Sequence, residues 1–216
     1  MSGRRAQGKH AGLSRERVVE AAVRLVDGDG VATLSMRRLA RELEVEAMTL
    51  YHHVPNKQAL EDGIVEYVLA EALRGATGPA TSHPASSAPA SWQQSMAGYA
   101  DGLHRALSAH PGTAILFASR PAVTTRNLAE LEGLLRVLRE AGFAARTALL
   151  MVYALAGSVV MQHLGDGAED SRSVQEELGR GFPVFSEAVA AGPPSTEARL
   201  RFTVDSLIAG FETLGG

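Results

Sequence analysis

The sequence contains no cysteine. This excludes disulfide bonds and thiolate metal sites, and it favours a reducing cytoplasm as the compartment. Long apolar runs are also missing. The longest, residues 148–161, includes Gly157 and Ser158 and is shorter than the roughly 20 residues that a membrane-spanning helix needs. The polar, basic N-terminus lacks the apolar segment of a signal peptide. We therefore expect a cytoplasmic protein without a membrane partner.

Charge is unevenly distributed along the chain. The net charge is −3. Residues 1–57 hold ten Arg and Lys against seven Asp and Glu, whereas residues 58–216 hold eleven against seventeen. A basic N-terminal quarter on an acidic remainder indicates a local contact with a polyanion. With 45% hydrophobic residues, the chain can bury a sizeable core, so global disorder is not expected.

The composition divides the chain into two domains. Residues 75–91 are rich in Pro, Gly, Ala and Ser and carry no ionic residue apart from one histidine, which predicts a linker or loop. We expect a small N-terminal domain at residues 1–58, with residues 1–13 as an arm, then a connecting helix at 59–74. The C-terminal domain would follow at 92–216. Two further breaks are expected at residues 165–173 and 192–194.

Helical periodicity dominates between these breaks, and no alternating strand pattern occurs. Ser14, Ser35 and Asn56 are candidate N-caps. The first helix should stop at residues 27–30. Short helices are expected at 36–43 and 47–53, the latter ending before Pro55 because a residue preceding proline avoids the α region. Longer helices are predicted around residues 57–73, 91–109, 122–141, 144–164, 174–190 and 196–214. The predicted fold class is all-α.

Two short helices joined by a tight turn at residues 44–46 form the pattern of a helix-turn-helix, whose second helix fits a DNA major groove. The residues at the start of that helix are small, apolar or hydroxylic, and such side chains can contact thymine methyls and base edges. Hydrogen-bond donors follow and suit phosphate oxygens. His52 and His53 are a poor metal pair, because adjacent side chains on a helix point about 100° apart.

The segment "LSMRRLARELEVEAMTLYHHVPNKQAL" resembles the DNA-binding helices of the TetR family of bacterial transcription regulators. Within it, "TLYHHVPNK" is similar to a stretch of the tetracycline repressors. Looser similarities follow in "WQQS" at Trp92, "SRP" at Ser119, "AGF" at Ala141 and "SLIAGFE" at Ser206. The resemblance implies an N-terminal DNA-binding domain of three helices and a C-terminal helical domain for ligand binding and dimerisation.

The resemblance also implies roles for individual residues. Arg37 would contact a guanine edge, and Ala47, Met48 and Thr49 would face bases. Phosphates would be held by Ser35, Tyr51, His53 and Lys57. The family often has Gly at position 44 and Gln-Pro at positions 47 and 48, where this chain has Glu44 and Ala47-Met48. Because of that difference, the target sequence cannot be copied from the tetracycline operator.

Two segments are candidates for a homodimer interface. Residues 148–161 are apolar nearly all round, so that helix must be covered on every side. The last helix carries an apolar stripe of Leu200, Val204, Leu207, Ile208, Phe211 and Leu214. The resemblance implies that two such helices from each subunit form a four-helix interface. Dimerisation also suits DNA geometry, because one recognition helix covers only half of a near-palindromic site in double-stranded DNA.

The resemblance further implies an inducer cavity in the C-terminal domain. Candidate lining residues are Tyr99, Leu103, His104, Leu116, Phe117, Leu135 and Met151. The tetracycline repressors ligate the magnesium of the drug with a histidine before a "T-R-P" segment, a place that falls at Leu116 here. Leucine cannot ligate Mg²⁺, which prefers oxygen ligands. We therefore expect a small, largely apolar inducer, with no metal or other cofactor.

Two alternatives remain open. The protein could be a DNA-binding repressor whose C-terminal domain is filled and takes no ligand. It could also be a helical enzyme in which Asp101, His104 and His110 act as acid and base, since Asp101 and His104 lie three residues apart on a helix and could touch. The sequence lacks a cysteine nucleophile, a G-x-S-x-G elbow, a phosphate loop and an H-E-x-x-H motif. These absences favour the regulator.

Overall fold

The structure, a computed structural model, describes residues 12–77, 91–119, 125–165, 181–190, 192 and 195–214. Every regular element in these ranges is helical, which confirms the all-α prediction. The α-helices are α1 (Arg15–Asp29), α2 (Met36–Glu42), α3 (Ala47–Tyr51), α4 (Lys57–Thr77), α5 (Trp92–Ala109), α6 (Ala114–Ser119), α7 (Thr125–Glu140), α8 (Ala145–Gly165), α9 (Pro183–Ala190) and α10 (Thr196–Glu212). Short 3₁₀ turns occur at Val31–Thr33 and Pro111–Thr113.

The predicted N-caps open their helices as expected. Side-chain oxygens of Ser14, Ser35 and Asn56 each accept a hydrogen bond from the backbone N–H three residues later, at 3.3, 3.3 and 2.8 Å. At the start of α5, Ser91 and Gln94 form a reciprocal capping box. Each bond satisfies a backbone group that has no partner within the helix. Local sequence therefore determines where these helices begin.

Helix ends and short elements were predicted less well. α3 ends at Tyr51 rather than at residue 53, because the N–H groups of His53 and Val54 both donate to the Leu50 carbonyl and close the helix. α4 continues to Thr77, so it includes the first residues assigned to the linker. α6 and the Pro111–Thr113 turn were not predicted. Most of the linker, residues 166–173 of the predicted break at 165–173 and residues 174–180 of the predicted helix 174–190 lie outside the described residues.

Two apolar clusters make up the interior. The head core joins α1–α3 to the first half of α4 and consists of Val18, Val19, Ala21, Ala22, Val23, Leu25, Val26, Leu34, Met36, Leu39, Ala40, Leu50, Val54, Leu60, Ile64, Val65 and Leu116. The body core is larger and is built on α5, α7, α8 and α10. Leu60 and Ile64 of α4 lie in the head core, whereas Val68 and Leu69 lie in the body core. We call these two halves of the molecule the head and the body, and α4 belongs to both.

Within the body, α4 and α5 pack closely enough to require a glycine. A Cβ atom added at Gly102 would lie 2.1 Å from the carbonyl oxygen of Ala72. No side chain fits at that separation, so the backbones of the two helices are in near contact. This contact fixes α5, and the candidate interior residues on it, against the helix that also supports the head.

α8 is more extensive than its apolar run indicated. Residues Ala145–Leu164 form 20 residues of helix with a mean hydropathy of 1.5, long and apolar enough to span a membrane by length and composition. The apolar run at residues 148–161 therefore underestimates the length of this helix. A core helix of a soluble protein passes the same test. Here Val152, Leu155 and Val159 are buried in the body core, so one side of α8 packs on its own subunit.

Candidate nucleic-acid interface and interior site

The helix-turn-helix is fixed from below by the head core. Leu39 and Ala40 of α2 and Leu50 of α3 are buried in it, with Leu50 fully enclosed. The turn between the helices passes through Glu44, whose φ of 53° lies in the left-handed region. The N–H of Val45 then donates to the Ala40 carbonyl at 2.9 Å and closes the turn. The two helices are thus held at a fixed angle.

α3 presents its candidate base-contacting residues outward. Met48 is 68% exposed and Tyr51 is 43% exposed, while Ala47 and Thr49 are half-buried. An exposed methionine gains no burial energy in the isolated chain. Its position beside small and hydroxylic residues matches what base edges and thymine methyls require. This face of α3 therefore has the chemistry of a groove-contacting surface.

The beginning of α2 offers two more candidate contacts. Arg37 is exposed. Its neighbour Arg38 is ion-paired with Asp29 of α1, which leaves Arg37 as the guanidinium on the outer side. Ser35 uses its oxygen as an acceptor in the N-cap, so its hydroxyl proton can still donate to a phosphate oxygen.

Beyond α3, the candidate phosphate-binding residues line its C-terminal end and the start of α4. His53 is half-buried in the turn, and Lys57 is exposed at the first position of α4. The ammonium of Lys57 lies 3.6 Å from a carboxylate oxygen of Glu61. Although Glu61 is largely buried, the Lys57 side chain is 47% exposed, so a phosphate oxygen can share its ammonium group. Tyr51, His53 and Lys57 thus follow one another from the last residue of α3 to the first residue of α4.

Most of the candidate ligand residues converge on the body core. Tyr99, Leu103 and Met151 are buried in it, and Leu135 and Phe117 are partly buried against it. Burial raises the pKa of Tyr99 to about 12, so its phenol stays neutral at physiological pH. These five side chains supply a largely apolar environment with one hydroxyl group.

Leu116 lies elsewhere. Although it belongs to α6, it is 3% exposed and buried in the head core beside residues of α1 and α4. Phe117, the next residue, contacts both cores. The structure therefore does not bring Leu116 together with Tyr99 and Met151. It makes α6 an element of the body that is anchored in the head.

His104 has a partner that the sequence did not indicate. Its Nδ1 lies 3.1 Å from Nε2 of His163 on α8, and both rings are half-buried. One nitrogen of this pair donates and the other accepts. His163 carried no signal in the sequence, because it stands alone at the end of an apolar segment. Asp101, the suggested acid–base partner of His104, is exposed.

Some apolar residues of the two candidate interface helices are used by the subunit's own core, and others are left for a second subunit. Leu200, Val204 and Phe211 of the α10 stripe are buried in the body core, and Leu207 and Ile208 pack against it. Leu200, Val204 and Phe211 therefore cover the subunit's own core, whereas Leu207 and Ile208 keep partly exposed surface and Leu214 is strongly exposed. The large exposed apolar residues on these helices are Leu150, Tyr153, Met161 and Leu164 of α8 and Phe202 of α10.

Comparisons with known proteins agree with this architecture. Residues 18–62 match the family described as "Bacterial regulatory proteins, tetR family", and residues 84–214 match "Tetracyclin repressor-like, C-terminal domain". The chain is 31% identical over 206 residues to the tetracycline repressor protein class E of Escherichia coli, covering 93% of this chain and 92% of that protein.

Two solved structures extend the comparison. A TetR variant from Acinetobacter baumannii AYE in complex with minocycline is 28% identical, covers 94% of this chain and 95% of its own, and has a TM-score of 0.70. Apo ActR from Streptomyces coelicolor is 24% identical, with 95% and 98% coverage and a TM-score of 0.79, and it supports the fold alone.

TetR-family regulators bind operator DNA and small-molecule ligands and function as dimers. The exposed α3 face, the two-core architecture and the matches to both domains lead to one assignment. The chain belongs to the TetR family of bacterial DNA-binding transcription regulators.

Proposed function

We propose that this regulator is a cytoplasmic repressor that binds a near-palindromic operator as a homodimer and leaves it when a small, largely apolar ligand occupies the body. The main support for this proposal is the set of side chains that α3 exposes. Met48 and Tyr51 are exposed there while Leu50 between them is fully buried. A helix oriented in this way directs its apolar and hydroxylic side chains at a groove rather than at its own core.

On the operator, we assign direct contacts with bases to Arg37, Ala47, Met48 and Thr49. Ser35, Tyr51, His53 and Lys57 are assigned to phosphates, which position a protein without discriminating between sequences. The arrangement supports this division, because the first group lies at the starts of α2 and α3 and the second group flanks them. Ser35 flanks α2 as its N-cap, two residues before Arg37.

The dimer would form through the exposed apolar faces of α8 and α10. Leu150, Tyr153 and Met161 recur at intervals that place them on one face of α8, opposite the buried residues. Phe202 of α10 is 75% exposed, which is costly for an aromatic side chain in a monomer. A second copy of the same helices would cover both faces with twofold symmetry.

The ligand would occupy the body beside Tyr99, Leu103, Leu135, Met151 and Phe117. The TetR variant with the same fold holds minocycline, and the body of this chain has corresponding helices. Polar groups among the candidate lining residues are the Tyr99 hydroxyl and the ring of His104, which pairs with His163. A mostly apolar lining with few polar groups favours a largely apolar, aromatic molecule.

Magnesium is not part of this proposal. The place that holds the metal-ligating histidine in tetracycline repressors is occupied by Leu116, whose side chain carries no donor atom and packs into the head core. DNA release by a ligand should therefore be the same with EDTA as with added Mg²⁺. A tetracycline that releases the DNA only when magnesium is present would contradict the assignment of Leu116 and of the pocket.

In vitro selection of bound DNA, followed by footprinting, tests the core of the proposal. The selected sequence should be a near-palindrome whose half-sites are centred about one helical turn, or slightly more, apart. Full affinity for an isolated half-site would contradict the dimer. Failure to enrich any sequence would contradict specific DNA binding.

The ligand-independent alternative requires a separate experiment. A compound that binds only the folded body raises the melting temperature, and it can weaken DNA binding only if it prefers the released arrangement of the heads. A panel of aromatic compounds should therefore contain members that raise the melting temperature and also lower operator affinity. If no member of a broad panel raises it, the repressor without a ligand becomes the better description.

A further inference from the structure

His110 connects three elements at the junction of head and body. It follows the last residue of α5, and its ring lies between two carboxylates. Its Nδ1 is 2.7 Å from Oδ2 of Asp27, near the end of α1, and its Nε2 is 3.2 Å from Oε2 of Glu71 on α4. The edge of the ring also contacts Tyr67 of α4, with ring centroids 6.0 Å apart. The head, the connecting helix and the body therefore meet on one imidazole.

The two distances constrain the protons on that imidazole. A neutral ring has one N–H donor and one lone pair, whereas the imidazolium ion has two N–H donors. Carboxylates only accept hydrogen bonds, so both contacts are satisfied together when both nitrogens of His110 carry protons. Asp27 also favours a His110 ring with both nitrogens protonated, because the Oδ1 atom of Asp27 is buried without a hydrogen-bond partner among the described residues. A positive charge beside that carboxylate lowers the cost of its burial.

The surrounding backbone holds this contact in place. A Cβ atom at Gly112 would lie 2.3 Å from the carbonyl oxygen of Val26, so the Pro111–Thr113 turn presses directly on the end of α1. The hydroxyl of Thr113 donates to the His110 carbonyl at 2.7 Å and fixes the turn internally. α6 follows and inserts Leu116 into the head core. The position of the head therefore depends on this short stretch of the body.

We infer that His110, as an imidazolium bound to Asp27 and Glu71, is a proton-dependent joint that fixes the head against the body. Loss of one proton leaves a lone pair facing a carboxylate, and the joint then loosens. Because the joint depends on that proton, the placement of the heads, and with it operator affinity, depends on pH. The effect on affinity rests on the proposed DNA-binding function, whereas the protonation of His110 does not.

Within the part of the chain that the structure describes, the titratable groups that contact the ring are Asp27 from α1 and Glu71 and Tyr67 from α4. Of these, Glu71 offers the sharpest test. Glu71→Gln keeps the shape of the side chain but introduces an amide N–H that can donate to a neutral Nε2. In this variant both contacts survive without the second proton. The joint should therefore persist at high pH.

Nitrogen-15 NMR of the histidine rings tests the protonation directly. At about pH 7, His110 in the full-length protein should show two protonated nitrogens. In Glu71→Gln, Nε2 should shift to the unprotonated form while Nδ1 stays protonated. A neutral His110 ring in the wild-type protein at that pH would overturn the inference, including the case in which Glu71 carries the proton instead.

Operator affinity provides the second measurement, using the sequence obtained by selection. The ratio of wild-type to Glu71→Gln affinities should change by at least about threefold between roughly pH 6 and pH 8.5. Protonation of His52 or His53 at the DNA surface cancels in this ratio. His110→Gln, which carries no charge at any pH, should match the high-pH behaviour of the wild type throughout.

A ratio that stays constant with pH would overturn the inference even if DNA binding is strong. If selection enriches no operator, the proposed function fails, and the NMR measurement still decides whether His110 is the doubly protonated joint. The two failures are therefore distinguishable.

Discussion

The candidate residues of the head are exposed or half-buried at the surface, whereas those of the body are buried or partly buried in its interior. Met48 is 68% exposed, whereas Met151 is 1% exposed. Burial already explains a methionine in a core, and nothing within the subunit explains an exposed one. The same residue type is therefore informative about function in the head and nearly uninformative in the body. For this reason, roles in the head can be assigned residue by residue, whereas the body supports only a chemical class of ligand.

The head and the body share structural elements, although we propose different functions for them. α4 contributes Ile64 to the head core and Val68 to the body core, one turn apart. α6 belongs to the body in sequence, yet its Leu116 is packed in the head core. A change in the body can therefore reach the head through side-chain packing as well as through the backbone.

The largest effect is expected from Leu116→Ala. Removing a buried leucine leaves a cavity and typically costs about 2–5 kcal/mol, and here the cost should fall on the head although the residue lies in the body. Denaturant unfolding would measure the loss, and amide hydrogen exchange would show faster opening of α1. The neighbouring Ile115 is 50% exposed, so Ile115→Ala should cost less than about 1 kcal/mol. Equal effects of the two substitutions would contradict the packing of α6 into the head.

The next largest expected effect is a change in the free energy of unfolding with pH, caused by Tyr99 in the body core. Burial raises the pKa of Tyr99 from 10.0 to about 12. Between these values the unfolded chain loses the proton while the folded chain keeps it, so stability falls as pH rises. The loss should total roughly 2–3 kcal/mol over that window, and the stability is fully present below pH 10. Unfolding of wild type and Tyr99→Phe across this range measures it, since the variant lacks the ionising phenol. Parallel curves would show that Tyr99 is not enclosed as described.

At the surface of the head, Arg37 and Lys57 should respond differently to replacement by alanine. Arg37→Ala should relax preference at one base pair, with a loss of roughly 1–3 kcal/mol there. Lys57→Ala should weaken binding to all sequences alike and flatten the salt dependence by about one unit. Selection experiments and salt titrations on both variants separate these outcomes. If Lys57→Ala altered the preferred sequence, its assignment to a phosphate would be wrong.

Features that depend only on residues close together in the sequence could be predicted, and features that depend on distant residues could not. Caps such as Ser35 and Asn56 need only neighbouring backbone groups, so they were recognisable from the sequence. The pairing of His104 with His163 joins residues 59 positions apart, and nothing in their local sequence records it. The α10 stripe was identified correctly as apolar. Periodicity indicates that a face is buried and does not indicate whether its own subunit or a partner covers it.

The smallest effect concerns the turn of the helix-turn-helix. Glu44 has a φ of 53°, a conformation that costs a residue with a Cβ about 1–2 kcal/mol and glycine almost nothing. Glycine also gives up more freedom on folding, by about 0.5–1 kcal/mol, so Glu44→Gly should raise stability by up to about 1 kcal/mol. The matched control is Glu42→Gly at the end of α2, where the backbone is helical and glycine should lower stability by a similar amount. Denaturant midpoints of the two variants should therefore move in opposite directions. If both variants are less stable than the wild type, contacts of the Glu44 side chain outweigh the strain in its backbone.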